Sequence, residues 1–117
     1  MVDVIDYDVV AANNNAAAPD GWPELQSYAS INNCAREMQA ADARDLQDRN
    51  GTLDTTGTAP AYDLSLNRTS VTALSDGLII GFRCHSANAG GASTLDVNST
   101  GAIDITLPDG SAPVLLA

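Results

Sequence analysis

The chain reads as an α+β protein: an extended N-terminal arm, one central amphipathic helix, then a small antiparallel β-sandwich or barrel. Three observations predict this. A stretch free of Gly and Pro, rich in Ala, Arg, Glu and Gln, runs from Ser27 to Arg49 and stops at Asn50-Gly51. After it, short apolar runs recur with turn signals between them, as in small all-β units. Before it lies Ala- and Asn-rich sequence with nothing from which to build a core. Three segments follow: residues 1–26 as arm and linker, 27–51 as helix, and 52–117 as β domain.

In the arm, residues 2–10 (VDVIDYDVV) carry Val, Ile and Tyr, which favour an extended chain. Interspersed Asp residues spoil any clean alternation. Such a strand pairs with something else, and Val4, Ile5 and Tyr7 are its docking candidates, with Trp22 further on. Residues 11–20 (AANNNAAAPD) form a linker. The whole arm, Met1 to Pro19, is expected to be mobile in the free protein. Pro23-Glu24 suits a first helical turn.

The helix places Tyr28, Ile31, Cys34, Ala35, Met38 and Ala41 on one side. Ile31, Cys34, Met38 and Ala41 follow coiled-coil spacing until Asp45 breaks it. So thin a stripe is marginal alone in water. It must pack either in a short parallel bundle of identical helices or on its own β domain. Ile31, Cys34, Ala35, Met38 and Ala41 are therefore the candidate seam. Asp42, Asp45 and Asp48 read as a solvated acidic stripe.

In the β half, Tyr62, Leu64 and Leu66 alternate with Asp63 and Ser65. Further strands are predicted over 70–74, 78–84, 93–97, 102–107 and 113–116. Ile103, Ile105 and Leu107 give the cleanest single buried face. The last strand runs into the end of the sequence. Domains seldom stop mid-strand, so the chain is expected to continue past Ala117.

Composition narrows function. The net charge is −10, with five Arg and no Lys, which repels phosphate and anionic lipid. Nucleic acid and membrane surfaces are thus excluded as partners. No apolar run approaches the ~18 residues of a membrane span. The acidic N-terminus is wrong for a signal peptide, so synthesis in a cytoplasm is expected. Cys34 and Cys84 lie far apart and read as small, buried, reduced residues rather than a disulfide or metal site. His85 follows Cys84, and neighbours on a strand face opposite ways. No Ser-His-Asp arrangement, zinc spacing, phosphate loop or calcium loop is visible. The expectation is a non-enzyme with no catalytic residues, no cofactor and no metal.

The order of motifs resembles the segment at the attachment end of bacteriophage tail fibres. The residues that carry it are Asn14-Asn15 to Pro19-Asp20-Gly21-Trp22-Pro23-Glu24, then Ile31-Asn32-Asn33-Cys34-Ala35-Arg36-Glu37-Met38, then Asn50-Gly51-Thr52-Leu53. Thr56-Gly57-Thr58-Ala59, Tyr62, Leu74-Ser75-Asp76-Gly77-Leu78, Phe82 and Gly91-Ala92-Ser93-Thr94-Leu95-Asp96-Val97 continue it. The series covers residues 13–107. It departs from the family at Asp45 to Arg49, where basic and aromatic residues are usual. The resemblance implies a homotrimeric structural protein of the virion tail. Its arm would dock on tail or adaptor proteins, and a host receptor would be met only by residues beyond this chain. A head fibre, collar or decoration protein is the alternative, followed by a carbohydrate-binding β module.

Overall fold

The computed structural model describes residues 3, 4, 16, 17, 23 and 25–117. The chain divides into two compact units, Met1–Leu46 and Gln47–Ala117. Helix α1 spans Tyr28–Arg49, 22 residues. Ser27 stands before it, and its carbonyl accepts the N–H of Ser30 at 3.1 Å and the Ser30 hydroxyl at 2.9 Å. Serine is favoured at this position because it competes with helical bonding and so marks the start. At the far end Gly51 takes a left-handed φ of 78°, the usual way to turn a chain out of a helix. Asn50 Oδ1 then accepts the Thr52 N–H at 3.0 Å and the Thr52 hydroxyl at 2.7 Å.

Six short strands follow: β1 (Leu53–Asp54), β2 (Thr56–Thr58), β3 (Ala61–Leu64), β4 (Phe82–Arg83), β5 (Ser93–Val97) and β6 (Ile103–Ile105). β1 and β4 pair in parallel as a small two-stranded sheet. The other four make one sheet in the order β2-β3-β5-β6. β2 pairs antiparallel with β3 and β5 antiparallel with β6, but β3 and β5 run parallel, with Tyr62 beside Leu95 and Leu64 beside Val97. Those four side chains share one face. With Leu66 and Val71 they form the core, against which Leu53, Leu78, Ile80, Phe82, Ile105 and Leu115 pack.

The α+β class therefore holds, but the β half is a mixed pair of sheets rather than an antiparallel sandwich, and it closes no barrel. Residues 65–92 cross over between β3 and β5, which is what parallel pairing requires. Residues 70–74 and 113–116 form no strand, and 78–84 and 102–107 shrink to Phe82–Arg83 and Ile103–Ile105. Apolar alternation marked burial there, not a ladder.

The backbone of these irregular stretches is satisfied by side chains from elsewhere, as buried polar groups demand. Asn98 accepts the Leu66 N–H at 2.8 Å and donates to the carbonyls of Arg68 and Val71, both at 3.1 Å. Asn88 accepts the Leu115 N–H at 3.0 Å and donates to the Pro113 carbonyl at 3.1 Å. The face predicted from Ile103, Ile105 and Leu107 is only partly buried: Ile105 packs on the core, while Ile103 and Leu107 stay nearly half exposed. Ile103 sits on β6, the edge strand of its sheet.

The acidic stripe also needs correction. Asp42 is exposed and Asp45 half-buried, but Asp48 is fully buried. Its Oδ1 accepts the Asn67 N–H at 2.8 Å and the Asn67 amide at 2.9 Å. Its Oδ2 accepts the Arg68 N–H at 3.1 Å and the Arg68 Nε at 2.8 Å. The Asp48 carbonyl accepts the Gly81 N–H at 2.8 Å. A Cβ on Gly81 would lie 2.5 Å from the Arg49 carbonyl oxygen, so this close approach admits only glycine.

Candidate assembly surface

Helix α1 presents two stripes with heptad spacing. Cys34, Glu37, Ala41 and Arg44 are turned inward: Cys34 and Ala41 have no exposure at all, and Glu37 and Arg44 are half-buried. Tyr28, Ile31, Ala35 and Met38 lie one residue, about 100°, around the helix. Tyr28 is 93% exposed, Ile31 40% and Met38 41%, with Ala35 half-buried. The seam read from sequence straddles both stripes. It takes Cys34 and Ala41 from the covered one, and Ile31, Ala35 and Met38 from the open one. Small residues such as Ala and Cys fit either face, so spacing alone does not separate them.

On the covered stripe Arg44 meets two carboxylates. Its Nε donates to Asp3 Oδ1, and an NH2 group donates to Glu37 Oε1 at 2.9 Å. Burial works against the Arg44 charge, but the hydrogen bonds to Asp3 and Glu37 and their attraction outweigh it. Its pKa accordingly lies above the ordinary arginine value. Asp3 is buried and Val4 half-buried. Of the docking candidates, Ile5, Tyr7 and Trp22 lie outside the described residues, as does most of the arm expected to be mobile.

In the β unit the single histidine is engaged at both ring nitrogens. Thr55 Oγ1 lies 2.8 Å from His85 Nδ1 and accepts the His85 N–H at 3.0 Å, while Ser86 Oγ lies 3.2 Å from Nε2. Tyr62 packs edge-on to the ring at 5.8 Å and donates its hydroxyl to the Ser86 carbonyl at 2.8 Å. These bonds tie residues 85–86 to β3 and to the link between β1 and β2. Neither Cys34 nor Cys84 is in a disulfide, and Cys34 Sγ accepts a hydrogen bond from the Gln26 side-chain amide at 2.8 Å. Burial pushes the half-buried Cys84 thiol up from its usual range.

Among the described residues no group of three His, Cys, Asp or Glu side chains is placed to hold a metal ion. Nor is any helix among them long and apolar enough to cross a membrane. The residues that sequence reasoning missed are Asp48, Asn88, Asn98 and Thr55. Each bonds to a segment distant in sequence, which no local pattern of residues reveals. Compared with known proteins, the chain matches no family model, no curated sequence and no solved structure.

Proposed function

We propose that this chain is a structural virion protein, the attachment end of a trimeric phage tail fibre. It is made in the bacterial cytoplasm, docks on the tail or an adaptor through its N-terminal arm, and performs no chemistry. The observation that carries the reading is the open stripe Tyr28, Ile31, Ala35 and Met38. Its 3-4 spacing is that of a coiled-coil seam, which parallel copies of the helix can share. From Leu25 to Ala41 the only charges are Arg36 and Glu37, which cancel, although the chain as a whole carries −10. Copies that repel elsewhere can approach there.

The test has two parts. Sedimentation of the full-length protein at micromolar concentration should give a trimer, and a well-folded monomer would overturn the assembly reading. Micrographs of particles carrying a labelled protein should place it on the tail. Label at the head or collar would favour the head-fibre or decoration alternative instead.

A further inference from the structure

β3 and β5 are neighbouring parallel strands, and both end at the same edge of their sheet, at Leu64 and Val97. Beyond that edge the chain diverges in two directions. One branch runs through Ser65 and Leu66 to Thr72, the other turns at Asn98-Ser99 towards β6. Between them opens a cleft with a volume of about 470 Å3, lined by Ser65, Leu66, Thr69, Val71, Thr72 and the Asn98-Ser99 turn. The carboxyl ends of parallel strands are where diverging loops leave room for ligands in open sheets. The volume is that of a small-ligand site, although the cleft is shallow and open, so a ligand in it would stay partly solvated.

The chemistry of the lining is uniform. Ser65, Thr69, Thr72 and Ser99 each present a hydroxyl, and none of the four makes a hydrogen bond among the described residues. Leu66 and Val71 are buried and supply aliphatic surface. No carboxylate, ammonium or guanidinium lines the cleft, so neither a metal ion nor a phosphate has a counter-charge there.

The turn at the rim carries an independent signal. Thr100 N–H donates to the Val97 carbonyl at 3.0 Å, and Asn98 and Ser99 have φ of 51° and 59°. A tight turn with both central residues left-handed favours Asn first and Gly second. This chain keeps Ser in the glycine position, a strained choice for a residue with a Cβ. Strain of this kind persists where the surroundings over-determine it and clusters at binding sites. Asn98 supplies that constraint, because its side-chain amide is bonded to three backbone groups. What the strain retains is a hydroxyl on the rim of the cleft.

We propose that this cleft binds a neutral, polyhydroxylated ligand: a mono- or disaccharide unit. The inference is independent of the assembly reading. The core position of Tyr62 leaves no aromatic platform in the lining, so affinity rests on hydroxyl pairing and is weak, in the range of about 1–10 mM.

The experiment is an amide-shift NMR titration with methyl α-glucoside, methyl β-galactoside, N-acetylglucosamine and dextran, with N-acetylneuraminate as the charged control. Shifts at Thr69, Thr72 and Ser99 with at least one neutral probe are expected. Response to the small glycosides assigns a terminal or free sugar, and response to dextran alone assigns an internal unit of a polymer. Thr72→Val should raise the Kd about fivefold, the loss of one hydrogen bond. Ser99→Gly should weaken binding similarly while keeping or raising the melting temperature, since glycine relieves the turn. The proposal is overturned if no neutral probe gives shifts at about 50 mM, well above such a Kd. It is also overturned if the shifts map elsewhere, if N-acetylneuraminate binds equally well, or if both variants bind as the parent does.

Discussion

Asp48 and Arg68 are joined twice: one carboxylate oxygen accepts both the backbone N–H of Arg68, at 3.1 Å, and its Nε, at 2.8 Å. Both side chains are almost wholly buried, at 0% and 4% exposure. Asp48 also takes two bonds from Asn67, so one side chain holds the loop after β3 against the end of the helix. Removing one partner of a buried pair leaves an uncompensated charge and costs about 3–5 kcal/mol. Asp48→Ala should lose stability of that order in a denaturant melt. An exposed acid on the same helix, Asp42→Ala, should change it by no more than about 0.5 kcal/mol.

Gly81 sits where the helix end and the chain before β4 approach most closely. Gly81→Ala places a methyl group against the Arg49 carbonyl and the Gly51 N–H, both of them backbone groups that no rotamer can move. The expected cost is about 1–3 kcal/mol of overpacking. Gly77 has open space around it but a left-handed φ of 86°, so Gly77→Ala isolates the cost of backbone strain without crowding. A melt in which Gly81→Ala matches the parent would show that this junction yields.

The proposed seam predicts that the two stripes of the helix respond differently to substitution. Met38→Asp alters an open position, so the isolated chain should melt within about 1 kcal/mol of the parent, as surface substitutions generally do. The same change puts a carboxylate from every copy into the proposed seam, and the trimer fraction in sedimentation should fall. Ala41→Leu should behave oppositely: it overfills a covered site and lowers stability by about 1–3 kcal/mol whatever the oligomeric state. If Met38→Asp assembles normally, the open stripe is not the seam.

Cys84 gives a pH signature. Burial raises its thiol pKa in the folded chain, so the protonated form is favoured there relative to the unfolded chain. At neutral pH both states are protonated and the stabilisation is fully present. As pH rises past the ordinary thiol range, near 8.5, the unfolded state ionises first. Stability is then lost progressively until the folded thiol also ionises. Unfolding measured at neutral and alkaline pH should show this slope, and Cys84→Ser should remove its share. Alkylation of Cys84 at mildly alkaline pH should be slower than that of a free cysteine.

The helix was legible from sequence to within two residues at either end, because absent Gly and Pro and the Asn50-Gly51 stop are local signals. The Tyr62 and Leu64 face and the whole of β5 were equally plain. The β topology was not legible. Parallel pairing of β3 with β5 depends on what the intervening chain does, and that chain is held by Asp48 and Asn98 rather than by a ladder. A carboxylate on a helix with other acids nearby looks solvated until the backbone that bonds it is in place. Heptad spacing grouped Ile31, Cys34, Ala35, Met38 and Ala41 on one side, but it could not show the rotation that covers Cys34 and Ala41 and leaves Ile31 and Met38 open.

The loop from Leu66 to Val71 is gripped chiefly by its main chain. Asn98 and Asp48 bond to the N–H groups of Leu66, Asn67 and Arg68 and to the carbonyls of Arg68 and Val71. Main-chain groups are the same whatever side chain stands above them. Thr69 and its neighbour Thr72 can therefore be exchanged for other residues while the path of the loop stays fixed. Asn98 and Asp48 act as a template, and the side chains they leave unbound are positions at which the sequence can change without refolding the protein.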